Sequence, residues 1–367
     1  MKHYFYFTIV LFIFLVSCVQ PDNQSKIILE TTGYPDSTII YLMDVERETT
    51  IDTGYIINNH LEFLVKIDSP TRFLINPVIK KREDIDYKYF WKEDKRITIW
   101  AEKGGLKNAR IEGSEIQKQA DVLAQSKARL EKKRDSLRDV YVSMQGEDRE
   151  TLMALRIEKD KITEQIRETE INYVKDHPDY LNSAVTLTFL MRQLPKEQTE
   201  ELYENLTQEM QSTRYGLTVK KYLDLSRDVT IGDKAIDFQL PDLDGHQISL
   251  DHFKNKLVLL EFWSSGCGPC RMENPNLLKN YLAYKERGFE IFGVSLDKRR
   301  ESWENAVEKD SMLWTTVSDL KGFNGDVAIT YRVYFIPKNY LIDTNGVVIA
   351  EDLRGEQLSV KLEELFR

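Results

Sequence analysis

Cysteine and histidine are scarce in this chain of 367 residues, and their scarcity excludes one class of site. There are three cysteines and five histidines. Only one pair of cysteines is closely spaced, and no two histidines stand at the spacing of metal ligands. A structural zinc site needs four ligands, so we expect no metal and no other bound cofactor.

An excess of basic residues is also missing. Lys and Arg number 51 against 60 Asp and Glu, which gives a formal net charge of −9. A nucleic-acid surface needs clustered cations, so we expect no nucleic-acid partner. The composition, 41% hydrophobic and 30% charged, is typical of a globular protein.

Long apolar runs are missing except at the start of the chain. Lys2 precedes the run YFYFTIVLFIFLV at 4–16, which is too short to span a bilayer but suits the apolar part of a signal peptide. The sequence LVSC at 15–18 resembles the bacterial lipobox. That resemblance implies that residues 1–17 are a cleaved signal peptide and that Cys18 carries lipid. A plain signal peptide with an incidental cysteine is the alternative.

A lipid on Cys18 would anchor the mature protein to a membrane outside the cytoplasm, with residues 18–25 as a polar tether. Disulfides persist in that compartment. We therefore expect a periplasmic lipoprotein of the cell envelope. The sequence leaves open which of the two membranes holds it.

Residues 26–113 predict a small antiparallel β domain. Five β-branched or aromatic runs are separated by turn signals such as TTGYPD and EKGG. The runs are KIILET, STIIYLMD, HLEFLVKI, TRFLINPVI and RITIWAE.

Proline and glycine almost vanish from residues 114–227, which predict a helical region. Apolar residues recur at seven-residue intervals and form one stripe along a helix. QGED at 145–148 interrupts the pattern, which predicts two long helices folded into a hairpin, followed by helices near 180–193, 196–212 and 215–226. An intermolecular coiled coil is the alternative. The stripe contains Ile116, Leu123, Leu130, Leu137 and Met144.

Residues 228–367 alternate between strand and helix patterns, as in an α/β domain. A hairpin turning at Asp244-Gly245 precedes the continuous apolar run LVLLEFW at 257–263, which is typical of a buried central strand. A helix from Cys270 to about Arg287, a strand, a helix at 300–310, a second hairpin and a last helix follow. This order is thioredoxin-like.

The spacing Cys267-Gly-Pro-Cys270 is compatible with a structural disulfide, half of a zinc site, or reversible thiol–disulfide exchange. A disulfide that closes so short a loop removes little entropy from the unfolded chain. Exchange is favoured because the pair follows an apolar strand and begins a helix, where free N–H groups and the helix dipole stabilise a thiolate. Cys270, one turn further on, is then placed to attack a mixed disulfide.

Residues 229–367 resemble the membrane-tethered thioredoxin-like reductases of the TlpA and ResA group, within the AhpC/TSA superfamily. The resemblance lies in IGDKAIDFQLPDLDGHQISLDHFKNK, LVLLEFWSSGCGPCRMENP and YRVYFIPKNYLIDTNGVVI. More weakly, the N-terminal β region resembles the extension on many lipoproteins of this kind. The resemblance implies a thioredoxin-like fold and reduction of disulfides in periplasmic client proteins. Electrons would come from an upstream membrane donor, and cytochrome c maturation is suggested only by analogy.

The resemblance also assigns roles to single residues. Cys267 would be the nucleophile and Cys270 the resolving thiol, joined in the redox-active disulfide. Glu261 matches a buried acid that exchanges a proton with the resolving cysteine, and Glu273 matches a second acid of these reductases. Either carboxylate would otherwise be an ordinary solvated one.

The substrate-binding residues implied by the resemblance surround the cysteines. Pro337 matches a cis-proline that presents backbone to a bound peptide, with Ile336 before it. Trp263 belongs to the same set, as a side chain that packs rather than reacts. Gly266 departs from the group, which usually has tryptophan directly before the first cysteine, so an apolar wall is lost there.

Two other functions are weighed against a reductase. A peroxidase of the peroxiredoxin type requires Pro and Thr at the positions where this chain has Leu260 and Ser264, so the sequence disfavours that function. A binding or scaffolding lipoprotein would use its N-terminal regions to hold a partner. Serine replacements of Cys267 and Cys270 separate an enzyme from a scaffold, since only an enzyme would lose reductase activity.

Overall fold

The computed structural model describes residues 24–78, 86–144 and 149–367. The predicted signal peptide, Cys18, most of the tether and the QGED break lie outside these residues. These residues form two compact units that divide between Ile166 and Arg167, whereas the sequence predicted region boundaries near 113 and 227. Within the described ranges, no helix is long and apolar enough to cross a membrane.

The first unit contains two four-stranded sheets, in the orders β4-β1-β7-β8 and β3-β2-β5-β6. Neighbouring strands are antiparallel except β1 and β7, which are parallel. Apolar side chains from both sheets share one core. The strands are β1 (Gln24–Thr32), β2 (Ile39–Asp44), β3 (Thr49–Tyr55), β4 (His60–Lys66), β5 (Thr71–Pro77), β6 (Lys88–Lys92), β7 (Ile97–Glu102) and β8 (Arg110–Glu112).

Two long helices follow, α1 (Glu115–Ser143) and α2 (Arg149–Asp176). Ser114 caps α1 by accepting a hydrogen bond from the backbone of Gln117 at 3.0 Å. Glu93 of the β region accepts from the Ser114 hydroxyl at 2.7 Å, which ties the helix start to the sheets. Lys133 of α1 and Glu158 of α2 pair at 2.6 Å, as expected if the two helices form the predicted hairpin.

The second unit begins with the end of α2 and four shorter helices: α3 (Leu181–Leu190), α4 (Lys196–Asn205), α5 (Gln208–Ser212) and α6 (Arg214–Leu225). The single helix predicted at 196–212 is two helices because the backbone at Leu206 and Thr207 is extended, and Thr207 caps α5.

These helices pack on the α/β part of the same unit. Ile329 belongs to their apolar cluster. The Arg332 guanidinium donates to the carbonyl of Leu194 at 2.9 Å, and Arg192 donates to Asn324 at 2.7 Å. Residues 167–227 therefore fold together with the thioredoxin-like part.

That part is a five-stranded sheet of order β13-β12-β11-β14-β15 with helices on its faces, which confirms the predicted class. Strands β11, β12 and β13 are parallel, and β14 and β15 are antiparallel to their neighbours. The central strand β11 is buried along its whole length, with one apolar cluster on each face. Its strands and helices are β9 (Gln239–Pro241), β10 (Gln247–Ser249), β11 (Leu257–Trp263), α7 (Gly268–Tyr284), β12 (Phe289–Ser295), α8 (Arg300–Lys309), β13 (Thr315–Val317), α9 (Asp326–Thr330), β14 (Lys338–Ile342), β15 (Val348–Glu351) and α10 (Glu356–Leu365).

Candidate active site at Cys267 and Cys270

The two cysteines lie where the central strand β11 gives way to helix α7. Cys267 is the residue that caps α7, and Cys270 lies in its first turn. Their sulfur atoms are joined in a disulfide, with the Cα atoms 5.3 Å apart. The backbone N–H of Cys270 also points at the Cys267 sulfur, 3.1 Å away. A thiolate on Cys267 would accept this hydrogen bond, which favours the charged form.

The two sulfurs differ in exposure. Cys270 is 0% exposed, whereas Cys267 is half-buried. A client protein can therefore reach only Cys267. The burial of Cys270 places it behind the first sulfur, in the position of a resolving thiol.

The loop before Cys267 is held from two sides. Asp297, which follows β12, accepts from the Ser265 backbone at 2.9 Å and from its hydroxyl at 2.5 Å. Arg271 donates to the Ser265 carbonyl at 3.1 Å and is itself paired with Asp310. The sequence does not indicate these positioning residues, because Asp297 and Asp310 stand far from the cysteines in the chain and belong to no motif.

Gly266 is exposed, and it leaves the space beside Cys267 open. A Cβ atom added there would meet no other atom within 4 Å. Steric crowding therefore does not require a glycine at position 266. The missing aromatic wall leaves one side of the nucleophile accessible.

The expectation that Trp263 contributes to substrate binding is wrong. Its side chain is 0% exposed, so it has no surface to offer a client. It packs against β12, where a Cβ on Gly293 would lie only 3.3 Å from its indole nitrogen. The sequence did indicate packing, and packing is what the structure shows.

The loop before β14 contributes the cis-proline. The Ile336–Pro337 peptide bond is cis, as the resemblance implies. Ile336 is half-buried and packs against the same cluster as Cys267 and Cys270. Phe335, one residue earlier, is 57% exposed, so the loop presents an apolar side chain to solvent.

Glu261 is buried within β11. Its exposure is 1%, and its Oε2 atom has no hydrogen-bond partner among the described residues. The pKa of Glu261 is raised to about 8, chiefly because burial disfavours the charged carboxylate; the negative charge of Glu273 also raises it, and Arg354 lowers it. A carboxyl that titrates near neutrality can accept and return a proton.

Glu273 lies one turn beyond Cys270 and is half-buried. Its Oε1 atom accepts from the backbone N–H of Gly355 at 2.8 Å and from Asn276 at 2.7 Å. Glu273 is thus fixed in place by α7 and by the loop that precedes α10. Its negative charge also raises the pKa of Glu261.

Comparisons with known proteins give the same assignment for the C-terminal part. The sequence model of the AhpC/TSA family matches residues 231–351. The thiol-disulfide oxidoreductase ResA of Bacillus cereus is 36% identical over 146 residues, which are 40% of this chain and 82% of that protein. ResA of Geobacillus kaustophilus is 36% identical over 120 residues, 33% of this chain and 67% of its own.

The chain belongs to the ResA-like thiol-disulfide oxidoreductases of the AhpC/TSA family.

Solved structures include similar domains. The thioredoxin domain of a thiol-disulfide oxidoreductase from Bacteroides vulgatus is 39% identical and covers 38% of this oxidoreductase and 100% of its own chain, with a TM-score of 0.37. A thiol-disulfide oxidoreductase from Bacteroides fragilis is 37% identical over 36% of this chain and 99% of its own, with a TM-score of 0.35.

The N-terminal β region of this oxidoreductase matches a different model. Residues 25–120 match a domain of unknown function, DUF4369, close to the predicted β-rich range. The match assigns no activity to that region.

Proposed function

We propose that this oxidoreductase is anchored by lipid on Cys18 outside the cytoplasm, where it reduces disulfides of client proteins through Cys267 and Cys270. The observation that carries the proposed reaction is the unequal exposure of the two sulfurs, half-buried for Cys267 and 0% for Cys270. Reduction is favoured by the Gly-Pro pair between them, which resembles that of low-potential thioredoxins.

The reaction consists of two exchanges. The Cys267 thiolate attacks one sulfur of the client disulfide, and the other client sulfur leaves as a thiolate. Cys270 then loses its proton and attacks Cys267, which breaks the mixed disulfide and releases the second client sulfur. The two client thiolates are then protonated, which balances the two protons that Cys267 and Cys270 lose. The client disulfide gains two electrons, and Cys267 and Cys270 lose two as they form their disulfide.

In the second exchange, Glu261 accepts the proton that Cys270 loses. Its pKa is raised to about 8, chiefly by burial, so the carboxylate that accepts this proton becomes the main form as the pH approaches and passes 8. Pro337 and Ile336 would hold the client backbone beside Cys267. An upstream membrane donor would return the disulfide to the dithiol.

Trapping tests the reaction. Cys270→Ser should accumulate a mixed disulfide with its client, because the second exchange is blocked, and mass spectrometry of the captured protein would name that client. Cys267→Ser should capture nothing and should not reduce insulin. Undiminished insulin reduction by both variants would refute the dithiol mechanism and favour a scaffold.

The lipid anchor depends on LVSC at 15–18 and has its own test. Cys18→Ser should release the protein from the membrane fraction and abolish the mass of the acyl chains on the mature N-terminal peptide. A membrane-bound Cys18→Ser protein would contradict the anchor while leaving the redox chemistry untouched.

A further inference from the structure

The segment after β15 returns to the active site. Asn339, two residues beyond Pro337, exchanges two hydrogen bonds with Leu353, at 2.8 Å and 3.0 Å. The backbone of Asp352 donates to the Asn339 carbonyl at 3.0 Å. These bonds fix residues 352–355 beside the cis-proline loop.

Arg354 stands at the centre of this segment. Its guanidinium donates to the carbonyl oxygen of Pro337. A second contact, to Asp352 at 3.5 Å, is long, and the Nε atom is buried without a hydrogen-bond partner among the described residues. The next residue, Gly355, donates its N–H to Glu273 at 2.8 Å.

The Pro337 carbonyl and Glu273 are therefore both bonded to this short segment. Glu261 pairs with Asn339 across β11 and β14, and the Asn339 side chain bonds to Leu353, the residue before Arg354. We infer that Arg354 is a positioning residue that holds the cis-proline backbone with its guanidinium and brings its positive charge to the buried carboxyl of Glu261. This inference rests on the proposed function, in which Pro337 faces the client and Glu261 takes the proton of Cys270.

The charged surroundings of Glu261 are few. Glu273 on α7 raises the pKa of Glu261 and Arg354 lowers it, both acting less strongly than burial. On β14, the Lys338 amine is paired with Glu351 at 2.6 Å and Asp352 at 2.9 Å, so its charge is balanced locally. Cys270 on α7 adds a titrating thiol in the reduced protein. Among the described residues, Arg354 is thus the cation whose charge opposes that of Glu273 at the Glu261 carboxyl.

Two substitutions separate the two tasks of Arg354. Arg354→Gln keeps an N–H donor for the Pro337 carbonyl but loses the charge. Arg354→Lys keeps the charge, although an ammonium lacks the planar fork of the guanidinium. A merely structural role would affect both variants alike.

The first experiment follows insulin reduction by the pre-reduced protein from pH 6 to pH 10. In Arg354→Gln the acidic limb of the rate should move to higher pH by about half a unit or more, because the carboxylate of Glu261 loses its cation. In Arg354→Lys the limb should stay in place while KM for the client rises several-fold. Arg287→Gln, at an exposed arginine in the short 3₁₀ helix after α7, is the control and should match the unaltered protein.

Equal pH profiles for Arg354→Gln and the unaltered protein would overturn the inference. An equal shift in both Arg354 variants would overturn it too, since charge could then not be the cause. Thermal melts of all variants show whether each is folded, and the comparison is made among those that are.

Titration of the Glu261 carboxyl by carbon NMR gives a readout independent of activity. Its midpoint should rise in Arg354→Gln whether or not insulin is the right client. A shifted midpoint in a protein that reduces no disulfide would refute the proposed function and keep this inference. An unshifted midpoint in a protein that does reduce disulfides would refute this inference and keep the proposed function.

Discussion

At Gly266 the chain has room for a side chain that it does not carry. Nothing lies within 4 Å of a Cβ built there, so Gly266→Trp should fold with a change in stability within about 0.5 kcal/mol. The added indole would cover one side of Cys267. We expect KM for a folded client protein to rise several-fold, with little change for a small disulfide such as oxidised glutathione.

Gly266→Ala is the matched control, because it adds a Cβ without a wall. Steady-state reduction assays with both substrates provide the measurement. An equal effect of Gly266→Trp on the small and the large substrate would show that the open side does not select clients by size.

Glu261 predicts a pH dependence of stability. Its pKa in the folded protein, about 8, lies above its ordinary value of 4.5. Between these values the folded chain holds a proton that the unfolded chain releases, so stability falls as pH rises across the window. Glu261→Gln should lack this fall, and the difference between the two proteins should reach at most roughly 5 kcal/mol.

Urea unfolding of the oxidised protein at a series of pH values from 4 to 9 measures this difference. Using the Gln variant cancels the contribution of all other ionisable groups. Parallel stability curves for the two proteins would mean that Glu261 has no raised pKa.

The residues of the site were predictable where they stand in a motif and unpredictable where they do not. Cys267, Cys270 and Pro337 lie in stretches with recognisable spacing, and their geometry was expected. Arg354 is contributed by a loop 84 positions after Cys270, and only the folded chain brings it to Pro337. Trp263 was expected both to pack and to lie in the substrate-binding set, and the sequence alone does not show that its side chain is completely buried.

At the scale of single elements, the start of α7 depends on its neighbours. Asp297 accepts both the backbone N–H and the hydroxyl of Ser265. Asp297→Ala should leave that half-buried N–H without this partner, at a cost of about 1 kcal/mol. The loosened loop should also place Cys267 less well, and we expect insulin reduction to slow about tenfold.

Ser265→Ala removes only the hydroxyl bond and should have the smaller effect in both measurements. Thermal melts and insulin assays of the two variants test the order. A larger loss in Ser265→Ala than in Asp297→Ala would contradict the role given to the carboxylate.

Elements with a distinctive pattern were predicted and weakly patterned ones were missed. β11 is a continuous apolar run because both of its faces are buried. β3 was not predicted because nearly all of its residues are exposed, so its sequence lacks the alternation of apolar and polar residues that marks a strand with one buried face. β13 has three residues and α9 has five, which are too few to show the hydrophobic periodicity of a strand or a helix.

At the scale of the whole molecule, residues 167–227 belong with the redox domain. A shift in composition near residue 227 predicted a boundary there, yet the contacts of Ile329 and Arg332 cross it. Composition reports local preference, whereas a compact unit is defined by contacts between distant residues. That is why the helices could be predicted and their partner could not.

A fragment of residues 167–367 should therefore be more stable than a fragment of 228–367. The shorter one would expose the apolar surface around Ile329, and the Arg332 guanidinium would lose the Leu194 carbonyl. We expect a lower melting temperature and stronger binding of a hydrophobic dye for the shorter fragment. Identical melting curves would show that the helices contribute no stability to the redox domain.

The unequal exposure of the two sulfurs has a consequence for labelling the reduced protein. A bulky maleimide can reach Cys267 but not Cys270, which the fold seals at 0% exposure. The reduced dithiol should therefore add one label under native conditions and two after unfolding. A reagent too large to enter the core therefore detects one thiol in the native enzyme, although the enzyme uses two thiols to transfer two electrons.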